Sequence, residues 1–185
     1  MKRKLETKRL ILRGPAPEDV DALLEIRNSP YVMEYNVMEP VTREQLLKTL
    51  EKDAASEKAL YLELKETGAA IGAVWLAEDS LRYGVNALML EYQLGEAYAG
   101  RGYMTEALEA AVQYAFEALG AELVSARVFE GNAGSRRVLE KLGLVREGTL
   151  RRAVKGYGGR VHNDMLFSML KEEYAEKHGV PGGTK

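Results

Sequence analysis

The 185-residue sequence contains no cysteine, only two histidines, five prolines and a single tryptophan. Without thiols, a disulfide scaffold, a thiolate metal site and a cysteine nucleophile are all excluded. The two histidines, His162 and His178, have no partners at metal-ligand spacing, so no metal is expected. Charge of one sign is lacking as well: 26 Lys and Arg stand against 28 Asp and Glu, a net charge of −2. That balance argues against a chain-wide basic field for direct nucleic-acid binding and makes any basic patch local. No apolar run approaches the length that spans a bilayer, and the basic start from Met1 to Arg13 lacks the apolar core of a secretory signal. No membrane partner is expected, and the cytoplasm is the expected compartment.

What is present is an apolar fraction of 46% with 29% charged residues. That suits a single domain with a sizeable core, expected over 1–178, followed by a flexible tail over 179–185. Glycine is distributed unevenly, with thirteen of the eighteen at or beyond Gly100.

Periodicity orders the chain. Leu10 to Leu12 reads as a strand that Pro15 and Pro17 end, and Val20, Leu23, Leu24 and Ile26 recur at helical spacing up to Asn28-Ser29-Pro30. Thr42 and Gln45 have the capping-box spacing and open a second helix that ends near Ser56. From Ala59 the period changes to two, with a hairpin turn at Thr67-Gly68, a return strand over Ala69 to Ala77 and a third strand from Val85 to Leu94. A helix follows Gly102 and closes at Gly120. Leu123 to Phe129 is a strand, Asn132 to Leu142 a helix, and Val145 to Val154 and His162 to Leu170 are two final strands. This order predicts a mixed α/β domain.

The stretch Tyr98 to Ala107 lies between a strand and a helix start. Gly100 and Gly102 would let the amides of Arg101 to Thr105 converge on one anion, and the helix N-terminus adds positive partial charge, which suits a pyrophosphate. A Gly-x-Gly at such a junction also describes a plain tight turn. A dinucleotide fold would need a third glycine where Thr105 stands, and the antiparallel hairpins argue against it.

A second segment, Asn132 to Leu144, follows one helix and one strand later. Around Tyr92-Gln93-Leu94, Gly100 to Ala107, Asn132, Ser135 and Leu139 to Gly143, the chain resembles the GCN5-related N-acetyltransferases. It is most similar to the branch of the ribosomal-protein N-terminal acetyltransferases, with weaker similarity at Arg9 to Arg13 and Glu147 to Arg151. The resemblance implies an α/β (α+β) fold: a mixed, mostly antiparallel, twisted sheet flanked by helices and splayed into a V between its fourth and fifth strands, with acetyl-CoA in the cleft. On this basis Tyr92, Gln93 and Leu94 pair with the pantetheine amides, and Gly100, Arg101, Gly102, Tyr103, Met104 and Thr105 hold the pyrophosphate. Asn132 and Ser135 lie near the thioester, and Arg136, with Arg137 as a further candidate, reaches the coenzyme phosphates. Three positions depart from the family pattern: Ala99 replaces a glutamine or arginine, Met104 a small residue, and Glu91 a glycine.

Acyl transfer from a thioester to an amine needs a neutral amine, donors for the developing oxyanion and a proton for the thiolate. With no cysteine available, direct transfer in a ternary complex is expected. Glu91 is the expected base, its alternative being a solvated residue on an exposed strand face. Ser135 is the expected donor to the thiolate or a stabiliser of its helix, and Asn132 also suits an N-cap. A free α-amine is roughly a tenth neutral at pH 7 and a lysine amine less than about a thousandth, which favours the N-terminus of a protein or peptide as acceptor. The alternatives are a polyamine or aminoglycoside acceptor and a non-catalytic acyl-CoA-binding module. Tyr31 to Tyr35 and Tyr157 are candidates for the acceptor pocket, and a homodimer is expected by analogy with the family.

Overall fold

The computed structural model describes residues 4–179. Eight strands, β1 (Lys4–Glu6), β2 (Leu10–Arg13), β3 (Ala59–Leu64), β4 (Ala70–Glu78), β5 (Ala87–Leu94), β6 (Leu123–Phe129), β7 (Val145–Lys155) and β8 (Val161–Leu170), form one sheet in the order β1-β2-β3-β4-β5-β6-β8-β7. Six helices flank it: α1 (Val20–Asn28), α2 (Pro30–Met33), α3 (Arg43–Ala54), α4 (Tyr103–Glu117), α5 (Ala133–Leu142) and α6 (Lys171–His178).

The alternation along β3 divides the core between the two faces of the sheet. Leu60, Leu62 and Leu64 join a large apolar cluster with α4 and α5, whereas Ala59 and Tyr61 join a smaller one with Val20 and Leu23 of α1 and Leu46 and Leu50 of α3. Helix α4 turns Ala107, Leu108, Ala111 and Ala115 inward, all fully buried. Burying a leucine such as Leu108 stabilises by about 2 kcal/mol. The Thr42–Gln45 capping box forms as expected, with Gln45 N donating to Thr42 Oγ1 (3.2 Å) and Thr42 N to Gln45 Oε1 (2.8 Å).

Every neighbouring pair of strands is antiparallel except β5 and β6, which are joined through α4 and run parallel. Their ladder covers only Ala87–Leu90 against Leu123–Ala126. Beyond it β5 continues to Leu94 on β4, and β6 continues to Phe129 on β8, so the two strands part. The V expected between the fourth and fifth strands lies between β5 and β6, because Lys4–Glu6 adds an edge strand that has no apolar pattern of its own.

Two helices were not expected from periodicity. Helix α2 is a single turn started by Pro30, and α6 buries only Tyr174 and Ala175, with Tyr174 packed 5.0 Å from the Phe116 ring. Val85 lies before the strand that starts at Ala87, and its carbonyl accepts from Ala87 N. The expected tail lies, apart from Gly179, outside the described residues.

Gly72 sits where β4 meets the end of β5. A Cβ there would lie 2.3 Å from the Gln93 carbonyl oxygen, a backbone atom that cannot yield. Gly72→Ala is therefore expected to destabilise by about 2–3 kcal/mol. Gly148→Ala, whose Cβ meets nothing within 4 Å, should stay within about 0.5 kcal/mol of the parent. Denaturant midpoints measure both.

Candidate active site

After β5 a short turn over Glu96–Tyr98 leads to Gly100 (φ +73°) and Gly102 (φ +80°), backbone conformations that glycine adopts without strain, and Gly102 becomes the N-cap of α4. No side chain caps α4, so the amides of its first turn, Tyr103 to Thr105, have no side-chain acceptor. Gly100, Arg101 and Gly102 are exposed; Tyr103 and Met104 anchor the turn in the core.

The turn between β1 and β2 clamps this loop from behind. Glu106 Oε1 accepts from Thr7 Oγ1 and from Arg9 N, each at 2.6 Å, and Oε2 accepts from Arg9 Nε at 2.7 Å. The Arg9 guanidinium donates to the Arg101 carbonyl (3.0 Å) and lies 4.2 Å from the centre of the Tyr103 ring. Burial alone would raise the Glu106 pKa, but the bonds from Thr7 and Arg9 together hold it below the ordinary carboxylate value. Beside the loop a pocket of about 180 Å³ is lined by Lys8, Arg9, Lys65, Glu66 and Tyr103. Sequence reasoning missed this clamp, because its partners are 97 residues apart and carry no local pattern.

At the parting of the strands, Glu91 is directly opposite Trp75 in register and so shares the sheet face covered by α3. Trp75 Nε1 and Tyr61 Oη both donate to Asp53 Oδ2 of α3, at 2.8 and 2.7 Å, which fixes this floor. Glu91 is open to solvent yet ringed by enough protein that desolvation raises its pKa. Tyr92 points to the other face and packs against the α4 core. Burial pushes its phenol up to about 12, with Ser135 near enough to draw it partly back, although no hydrogen bond to the phenol oxygen is completed. Ser135 N donates to Asn132 Oδ1 at 3.0 Å, so Asn132 is the N-cap of α5.

The structure thus brings Tyr92, Asn132 and Ser135 together, with Arg136 next along α5, and places Gly100 to Thr105 at the C-terminal end of β5. Gln93 and Leu94 stay on β4, opposite Ala73 and Gly72. Arg137 is exposed. Tyr35 packs near Gly131, where a Cβ would lie 3.4 Å from its ring, and Tyr157 N donates to the Asn36 carbonyl at 2.7 Å. Tyr31 is exposed on α2, and His162 stacks 4.6 Å from Phe129. The unpartnered phenol of Tyr92 was not foreseen, because its position in the strand alternation reads as core.

Five buried side-chain nitrogen or oxygen atoms lack a hydrogen-bond partner among the described residues, and three of them, Tyr92 Oη, Gln93 Oε1 and Arg136 Nε, lie on the segments that border the parting. Arg136 Nε is 3.6 Å from Glu140, an ion pair without a hydrogen bond. The edges of β5 and β6 beyond Leu90 and Ala126 also carry backbone groups with no partner in each other. Unpaired strand edges, orphaned polar side chains and an uncapped helix N-terminus suit an extended ligand that has amides in its middle and phosphates at one end.

Residues 9–145 match the family model of the acetyltransferase (GNAT) domain, and the chain belongs to that family. It is an acyltransferase, an N-acetyltransferase whose family uses acetyl-CoA as cosubstrate. It is 30% identical over 178 residues to the N-acetyltransferase p20 of Bacillus licheniformis, covering 92% of this chain and 98% of p20. Among solved structures it is similar to Mycobacterium smegmatis RimJ in complex with CoA-disulfide (TM-score 0.77, 21% identity, 93% of this chain and 88% of that one). It is also similar to a variant of the Vibrio cholerae spermidine N-acetyltransferase SpeG (TM-score 0.74, 20% identity, 92% and 98%). Among the described residues, no helix is long and apolar enough to cross a membrane, and no group of three His, Asp or Glu could hold a metal.

Because the native pKa of Glu106 is lowered, its stabilisation is complete above the ordinary value of 4.5 and is lost as pH falls through the native value. Glu106→Gln is expected to cost about 2 kcal/mol at neutral pH, and the gap from the parent should close in acid. Denaturant titrations between about pH 7 and pH 3 measure it.

Proposed function

We propose that this protein transfers the acetyl group of acetyl-CoA directly, in a ternary complex, to the N-terminal α-amine of a protein or peptide in the cytoplasm, in the manner of the ribosomal-protein N-terminal acetyltransferases. The observation that carries the reading is the arrangement at the parting: a partly solvated carboxylate, Glu91, whose pKa its protein surroundings raise, on one face, and an unpartnered buried phenol, Tyr92, beside Ser135 on the other.

Acetyl-CoA supplies the acyl carbon and its thiolate leaving group. Glu91 takes the proton that the amine loses as the new C–N bond forms and the C–S bond breaks, and its raised pKa makes it a better base than an ordinary carboxylate. The Tyr92 phenol stays neutral at any working pH, so with the Ser135 hydroxyl it can donate to the departing sulfur. Asn132 orients Ser135 by capping α5. The exposed edge of Tyr92, Gln93 and Leu94 pairs with the pantetheine amides, and Gly100, Arg101, Gly102, Tyr103, Met104 and Thr105 receive the pyrophosphate, with Arg136 adding a cation.

The acceptor assignment rests on pKa: one partly solvated carboxylate copes with an α-amine more readily than with a lysine-like amine. A polyamine acceptor is the second reading, favoured by the structural likeness to the spermidine enzyme. Thiol release from a panel of peptides with free N-termini and of polyamines decides between them. An inert panel, with acetyl-CoA still raising the melting temperature, would identify a non-catalytic binding module.

Glu91→Gln is expected to lower kcat about 100-fold. In the parent, kcat/KM should rise with pH through an apparent pKa above 4.5, and this acid limb should vanish in the variant; an unchanged profile would refute the role. Tyr92→Phe should lower kcat by about tenfold while the KM for acetyl-CoA holds, and with Ser135→Ala the combined loss should exceed either alone.

A further inference from the structure

The far half of the β7–β8 hairpin is not explained by core formation. Strand β7 is mostly exposed, and its pairing with β8 breaks between Leu150 and Val154. Within the break, Arg152 is the one non-glycine residue among those described with a left-handed backbone, φ +50°. An arginine held there costs roughly 1 kcal/mol, and β-bulges of this kind re-aim side chains. Its N–H is held by Asn163 Oδ1 at 2.8 Å, but its guanidinium has no partner among the described residues. Arg151, Lys155 and Arg160 are likewise exposed, and among the described residues none of the four cations pairs with a carboxylate.

Of the carboxylates at this end, Asp164 is paired with Arg127, Glu130 accepts from Asn163 Nδ2 at 2.8 Å, and Glu34 lies beside the Tyr35 phenol. The hairpin also borders the segment that leads to Asn132 and Ser135. Arg160 acts electrostatically on Tyr35, Tyr35 packs near Gly131, and Gly131 precedes Asn132 and Ser135. The hairpin tip is tied to the same segment through Tyr157 and Asn36.

We infer that this rim selects an acceptor whose chain is acidic beyond the reacting amine, an inference that rests on the peptide reading above. An extended peptide advances by about 3.4 Å per residue, so side chains past roughly the second residue leave the parting and pass over the hairpin. There they meet Arg151, Arg152, Lys155 and Arg160, which attract Asp and Glu and repel lysines and polyamines.

Fluorescence anisotropy with two labelled octapeptides tests it. Both begin with a free serine amine; one carries Asp and Glu at positions three to eight, the other Lys. In about 50 mM salt the acidic peptide is expected to bind at least tenfold tighter, with the gap narrowing as salt is raised towards about 500 mM. The double variant Arg152→Glu/Arg160→Glu should erase or invert the preference while acetyl-CoA still raises its melting temperature. Equal binding of the two peptides by the parent, tighter binding of the lysine peptide, or a preference indifferent to salt would overturn the inference, and these readouts need no variant. Turnover reports separately on the parent reading. An acidic peptide bound preferentially but not acetylated would sink the peptide reading and leave the charge preference standing. Equal binding with equal acetylation would do the reverse, and spermidine as the better acceptor would defeat both.

Discussion

The structure depends on four residue pairs. Among the described residues, Ala87 to Leu90 against Leu123 to Ala126 is the only contact between strands in which the sheet runs parallel, and it joins the half of the sheet built on β4 to the half built on β8. Each strand has a stronger commitment on its outer side, since β5 follows β4 through Leu94 and β6 follows β8 through Phe129. Right-handed twist rotates neighbouring strands, and two long antiparallel commitments diverge where nothing holds them together. The gap that results exposes unpaired backbone inside a folded domain, which a protein tolerates where a ligand can complete the hydrogen bonding. The glycine loop lies at the end of the same strand, so one short ladder sets both the width of the cleft and the position of the helix N-terminus beyond it.

Local rules made much of this legible. Periods of two and of 3.6, the capping box at Thr42 and the N-cap at Asn132 all appear where the residues suggested them, because each is decided within a few positions. The glycine pair before α4 was readable because left-handed backbone leaves few choices of residue. What escaped was decided at a distance. Strand β1 has three residues and exists because β2 offers it an edge, and α6 shows only two inward residues to a core assembled from other parts of the chain. The Tyr92 phenol was hidden by its own alternation: the ring belongs to the core and only the oxygen does not.

Charge followed the same logic. A total of −2 concealed both the cations at the glycine loop and those on the last hairpin, since a sum says nothing of placement. Elsewhere on the surface, cations and carboxylates lie in pairs, such as Lys48 with Glu44 and Arg43 with Asp21. Such exposed pairs contribute little to stability, but they leave the unpaired arginines as the places where the field of the protein reaches outward.

The Thr7–Arg9–Glu106 clamp has a consequence for how the domain is made. Its halves lie on opposite sides of a chain segment of nearly a hundred residues, so the glycine loop before α4 reaches its final shape only after the first and second halves have met. During synthesis the first strands emerge long before their carboxylate partner, and must wait, paired with β3 at best, until α4 arrives. Pairing of β2 with β3, β3 with β4 and β4 with β5 brings the two halves together stepwise, so the clamp closes on a sheet that is already built. A ligand held by that loop therefore also holds the beginning of the chain, so its binding guards the N-terminal strands against local opening and proteolysis.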